Sequence, residues 1–293
     1  MSKVVKSYKG FNKDMTCRGF QYKEGKEYET SKAVVCNEGF HACEHPLDCL
    51  GYYPPSTSVY HEVEQTGEFS SDSGDGDSKI ASTKIKIGAK LSIAGLVQAA
   101  IDFTKSKTVT MQNATGNYGA SSATGDYGAS SATRNYGASS ATGNCGASSA
   151  TGYKGASSAT GDYGASSATG NYGASSATGN CGASSATGDY GASSATGNYG
   201  ASSATGNCGA SSATGYKGAS SADNTTAVAV AWGYESKAKG CVGSHIVCAE
   251  WRYVDDKKEW ELVGAKMARV DGDKIKADVY YILKDGEFVE ATK

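Results

Sequence analysis

The sequence has no excess of charge of either sign: 28 Lys and Arg stand against 30 Asp and Glu. No region forms a basic patch, so nothing draws nucleic acid or an anionic membrane surface, and none is acidic enough to mimic DNA. A long hydrophobic run is also missing, which excludes a helical membrane span. The start MSKVVKSYKG is positive but has no apolar stretch behind it, so it does not read as a secretory signal. The nine cysteines are odd in number and have no small-scaffold spacing, which argues against a disulfide framework and for a reducing compartment. The expected location is a cytoplasm, or a virion assembled in one.

Catalytic patterns are equally scarce. The 39 glycines follow neither the P-loop nor the dinucleotide-binding spacing. No set of nucleophile, base and orienting group can be assembled from spacing. His61 and Glu62 are neighbours on a predicted strand and therefore face opposite sides. The expectation is a protein with no catalytic residues and no cofactor. An enzyme housed in the first region is the alternative.

What the chain does contain is a repeat. From residue 114 to 221 the unit ATGNYGASS recurs twelve times, and only the two residues after the first glycine vary much. Arg134 is the one break in that glycine column. A fixed short period marks a stacked array. Nine residues are too few to close one turn, so two units per turn predict an 18-residue coil with one strand on each side. Twelve units then give six coils and a rod of roughly 29 Å, at about 4.8 Å per coil. With Ala and Ser inside, the two sheets must approach more closely than the usual separation of about 10 Å, and main-chain pairing must carry most of the stability. A disordered Gly/Ser/Ala tether is the competing reading. Against it, the nine-residue spacing runs on past the last copy, from Ala222 to Ala231, through the apolar run Ala227-Val228-Ala229-Val230.

The predicted fold is mainly β. A central β-solenoid (106–245) is capped at its open ends by an N-terminal α+β domain (1–105) and a C-terminal β-rich domain (246–293). In the first region, Ser58 to Glu64 and Lys79 to Ile87 alternate as half-buried strands, and Ser92 to Ile101 has helical spacing. In the last, Ile246–Val254 and Glu259–Val270 flank a polar turn. Val279–Leu283 and Phe288-Val289 flank Lys284-Asp285-Gly286-Glu287, which predicts a hairpin with an Asp-Gly turn.

Candidate sites are few. Cys36, His41, Cys43, His45 and Cys49 fall within a short stretch and could supply zinc ligands, with His41, Cys43 and His45 on one strand face, although the spacing fits no common zinc pattern. Asp72, Asp75 and Asp77 have the glycine-spaced look of a calcium loop but no bidentate Glu follows, so a solvated loop is the plainer reading. The threonine columns raise an ice-binding reading, which single columns do not favour. The informative positions are Tyr118, Tyr127, Tyr136, Tyr163, Tyr172, Tyr190 and Tyr199, which share one repeat position with Cys145, Cys181 and Cys208. Coiling sets them in vertical rows. They serve either as an aromatic ladder offered to a partner or as shields for the corners. No intrachain disulfide is expected among the three cysteines.

Ala229-Val230-Ala231-Trp232-Gly233 and Ala238-Lys239-Gly240 resemble the head repeats of YadA-like trimeric adhesins, which implies a β-roll. Lys9-Gly10-Phe11, Cys17 to Tyr22, and Gly39-Phe40-His41-Ala42-Cys43 resemble an uncharacterised domain of phage and prophage proteins, which implies a viral origin and no known active site. The expected function is therefore a non-enzymatic, phage-associated binding or scaffold protein whose partner is a host or virion protein, for example an inhibitor of a host defence system. A structural virion or fibre component, homo-oligomerising through the roll, is the second expectation.

Overall fold

The computed structural model describes residues 3–55, 57–71, 78–107 and 112–291. The Asp72, Asp75 and Asp77 segment lies outside the described residues.

The repeats coil as their period requires. Each ASSAT segment is a strand, and strands 18 residues apart pair in parallel and in register, as Ala129 with Ala147 and Thr133 with Thr151. Two parallel stacks result, joined by four-residue corners. The coils outnumber the six expected from the repeat, because each stack holds eight parallel strands. One coil begins ahead of the repeat, at Gln112–Ala114. Further strands follow the repeat at Val228–Ala231 and Lys237–Gly240, still 18 residues from their partners, and at His245–Val254, where Val228 pairs with His245 and the step shortens by one residue. At about 4.8 Å per coil the rod is roughly 38 Å long.

From Gly143 to Gly215, glycine at the head of the corner is a steric necessity. A Cβ on Gly161 would sit 1.9 Å from the carbonyl oxygen of Gly143, one coil below, and the residue holds φ +148°. Arg134 occupies that column with φ +135°; nothing in the structure explains why an arginine stands there.

Inside the rod, the first serine of each ASSAT strand points inward, on the same face as the buried second alanine. The hydroxyls join across the two sheets into one chain. From Ser139 to Ser220 each bonds the serine nine residues away, at 2.7–3.0 Å. Such direct bonds require the close sheet approach expected from the small side chains. Between the two ends of this chain each hydroxyl both donates and accepts, so the polar core is satisfied.

The first region is an antiparallel sheet ordered Glu27–Glu29, Lys79–Leu91, Phe40–Cys43, Val5–Asn12, Ser58–Ser71, and it closes on itself because its two long strands also pair with each other. The short helix α1 (Cys49–Tyr52) lies between the Phe40–Cys43 and Ser58–Ser71 strands, and the longer α2 (Ile93–Lys107) follows the last strand. Ser92 caps α2 by accepting from the Gly95 N–H at 3.1 Å.

The position of α2 corrects the expectation that both flanking regions close the rod's ends. The N-terminal region lies along the flank: α2 touches five successive strands of one sheet, from Ala129–Thr133 to Ala201–Thr205. A 15-residue helix is about 22 Å long, close to the roughly 19 Å spanned by five strands. Leu96, Val97, Ala100 and Ile101 form its buried stripe and pack on Ala147, Ala165, Ala183 and Ala201. The C-terminal region does close the other end. Glu259–Arg269 pairs antiparallel with His245–Val254, and Tyr281–Lys284 adds to Lys237–Gly240. Ile246, Tyr281 and Leu283 fill the mouth of a tube lined until then by alanine. The Asp-Gly turn is present, with φ +51° at Asp285 and +72° at Gly286, and the Glu250 carboxylate accepts both of its N–H groups.

Two stability predictions follow from the coil. Gly161→Ala should cost at least about 2 kcal/mol from strain and backbone clash, whereas Gly116→Ala, with nothing within 4 Å of a Cβ, should change urea midpoints little. Ser175→Ala strips the acceptor from the buried Ser184 hydroxyl and should cost about 1–3 kcal/mol. The outward Ser176→Ala should stay within about 0.5 kcal/mol.

Candidate interaction surface

The corners alternate along the chain, so the seven tyrosines divide between two edges. Tyr118, Tyr136, Tyr172 and Tyr190 line the free edge; Tyr127, Tyr163 and Tyr199 line the edge beside the N-terminal region. On the free edge, Tyr118 stacks on Tyr136 and Tyr172 on Tyr190, with centroids 4.8 Å apart in both pairs. That separation is the coil rise itself. The gap at the Tyr-Lys copy is bridged by Tyr153, 5.9 Å from Tyr136 and 5.5 Å from Tyr172. Lys154 takes the vacant place in the column and lies 5.3–5.8 Å from three ring centroids. Tyr118 is 74 % exposed and the other four rings are also exposed.

The backbone holds these rings out. Tyr118, Tyr136, Lys154, Tyr172 and Tyr190 have φ of +56° to +60°, a conformation that L-residues adopt at a cost. Each donates its N–H to a main-chain carbonyl one coil on, as Tyr136 to Tyr153 at 2.8 Å. Asn135, Asn171 and Asp189 add side-chain acceptors for N–H groups of the next coil.

The opposite edge differs although its sequence is the same. Cys145, Tyr163 and Cys181 donate their N–H groups one coil back, to Asp126, Asn144 and Asp162, so the peptide there is flipped. This reversal covers the stretch where the N-terminal region lies against the rod. Thr104 of α2 donates to the Cys145 carbonyl at 3.2 Å. Cys181 is 5 % exposed inside the shared core, and Tyr163 packs beside His45 at 6.2 Å. Cysteine in place of tyrosine leaves room for the docked helices. Beyond them the edge becomes aromatic again, running Tyr199, Tyr216, Tyr234, Trp260, Tyr253. Sequence reasoning missed Tyr153, Tyr216 and Tyr234, which sit one place off the tyrosine position. Their signal was the following Lys154, Lys217 and Glu235, which take the left-handed corner instead.

The five zinc candidates do not converge. Cys36, His41, Cys43 and Cys49 border one cavity of the first region, and the Cys49 thiol donates to the Tyr8 carbonyl at 3.0 Å. His45 lies outside the Phe40–Cys43 strand, buried 3.2 Å from Asp48 and beside Phe103 of α2. Among the described residues no three His, Cys, Asp or Glu side chains are arranged to hold a metal ion. Among the described residues no cysteine forms a disulfide. Among the described residues, no helix is long and apolar enough to cross a membrane.

Burial pushes the thiols of Cys145 and Cys181 up to about 12. At pH 8 only about one molecule in 10⁴ then carries the thiolate at either site. Iodoacetamide should therefore modify the exposed Cys36 and Cys208 and spare Cys145 and Cys181 until the protein is denatured. Cys208→Tyr should be tolerated on the free edge, while Cys181→Tyr should cost about 1–3 kcal/mol by overpacking. Thermal melts distinguish the two.

Residues 5–99 match the model of a family described as a domain of unknown function, DUF7666. No curated protein matches the chain, and no solved structure does.

Proposed function

We propose that this is a non-catalytic binding protein in which a rigid rod presents the tyrosine ladder of its free edge to a protein partner. The observation that carries this reading is the exposure of five tyrosines in one row, two pairs stacked and Tyr153 edge-on between them, on a backbone that sets them one coil apart. Tyrosine offers a large contact area with little side-chain entropy to lose, and here the main chain has already ordered the rings. The resemblance of the first region to phage and prophage proteins supports a host or virion protein as the partner, and inhibition of a host defence system is the specific form of that reading.

A second reading, assembly of copies through the roll, is favoured by the two sheets' unequal environments. Ala129, Ala147, Ala165, Ala183 and Ala201 are buried beneath the N-terminal region, whereas the matching Ala138, Ala156, Ala174, Ala192 and Ala210 of the other sheet lie exposed.

Immobilised full-length protein should retain a saturable partner from host lysate. The double variant Tyr136→Ser/Tyr172→Ser should weaken retention at least tenfold, about 1.4 kcal/mol, and Met267→Ser on the far hairpin should leave it unchanged. Retention indifferent to the ladder substitutions counts against the binding role of this edge. Sedimentation of the free protein tests the second reading, which a strictly monomeric species removes.

A further inference from the structure

The first region holds a cavity of about 680 Å³, within the size range of small-ligand sites. Its lining pairs aromatic rings with cations. Phe20 is 47 % exposed at the opening and stands 4.8 Å from Tyr22 and 5.4 Å from Tyr28. Tyr52 forms another exposed part of the wall.

Among these rings lies Lys9, only 5 % exposed. Its ammonium donates to the His41 carbonyl at 2.7 Å and sits 5.4 Å and 5.6 Å from the Phe11 and Tyr22 centroids. Among the described residues no carboxylate is ion-paired with it. A buried cation is costly without a counter-charge. Arg18, exposed and held at φ +50°, and Lys79, whose ammonium lies 4.7 Å from the Tyr52 centroid, add two further cations to the lining. Glu29, the one acidic residue of the wall among the described residues, is engaged by Lys84 at 3.0 Å. His41 also lines the space, and its buried Nε2 has no hydrogen-bond partner among the described residues. The cavity thus presents stacking faces, a buried ammonium with no carboxylate ion-paired to it among the described residues, and a guanidinium.

We propose that this cavity binds a mononucleotide, with the base against the Phe20, Tyr28 and Tyr52 rings and the phosphate neutralised by Lys9 and Arg18. Base stacking on aromatic side chains and a charge-assisted bond from a guanidinium are the two interactions this lining supplies together. Neither an uncharged aromatic nor a bare anion would use both. The site lies apart from the tyrosine ladder and does not depend on it.

Isothermal titration of the full chain with AMP, GMP, CMP and UMP tests the proposal. At least one should bind saturably, tenfold or more tighter than its own nucleoside or inorganic phosphate. Arg18→Ala and Phe20→Ala alter exposed side chains, so the fold should survive, and each should weaken that binding about tenfold. Tyr172→Ala should leave it unchanged. No saturable binding of any of the four at about 1 mM overturns the proposal. So does a nucleoside or phosphate that binds as tightly as the nucleotide, or affinity that ignores both substitutions.

Discussion

Each coil of the rod rests directly on the main chain of the coil below, and this contact governs the rest of the molecule. The carbonyl oxygen of one corner glycine occupies the space where a side chain would stand on the glycine 18 residues later. The strands can then pair in register along the whole rod. The same rise sets the 4.8 Å spacing of the stacked tyrosines. The surface ladder is therefore a consequence of the corner geometry as much as of the residues displayed.

So narrow a tube buries little apolar area, since its interior is alanine and serine. The serine hydroxyls compensate by forming one continuous hydrogen-bonded chain between the sheets. A single serine would be an ordinary buried polar group, but a row in which each donor finds the next acceptor leaves none unsatisfied. The end of the tube needs a different solution, because the last coil has no neighbour. There the side chains grow, Ile246, Tyr281 and Leu283 replacing alanine, and antiparallel strands take up the free main-chain edges.

Identical repeats acquire different surroundings once the chain folds back on itself. One sheet receives α2 along its length and the other remains open. One edge shows its tyrosines to solvent, while the other flips its corner peptides and uses Cys145 and Cys181 to admit the first region. The Tyr-to-Cys changes at those two positions have a packing reason, whereas Cys208, the same substitution on the free edge, is exposed.

Read alone, the sequence determined the solenoid, its 18-residue coil, the parallel register and both C-terminal hairpins. Each of these follows from local period and turn chemistry, as with Asp285-Gly286. It also grouped the tyrosines into rows, because the repeat places them at one position. Only the tertiary structure decided that the rod has eight coils and that α2 lies along its side. It likewise decided which tyrosines face solvent, and that Cys36, His41, Cys43 and Cys49 border a cavity that His45 does not reach. These features depend on contacts between segments far apart in the chain, here Leu96 against Ala183 or Lys9 against Tyr22. A periodic sequence carries no mark of which of its equal faces a distant segment will cover.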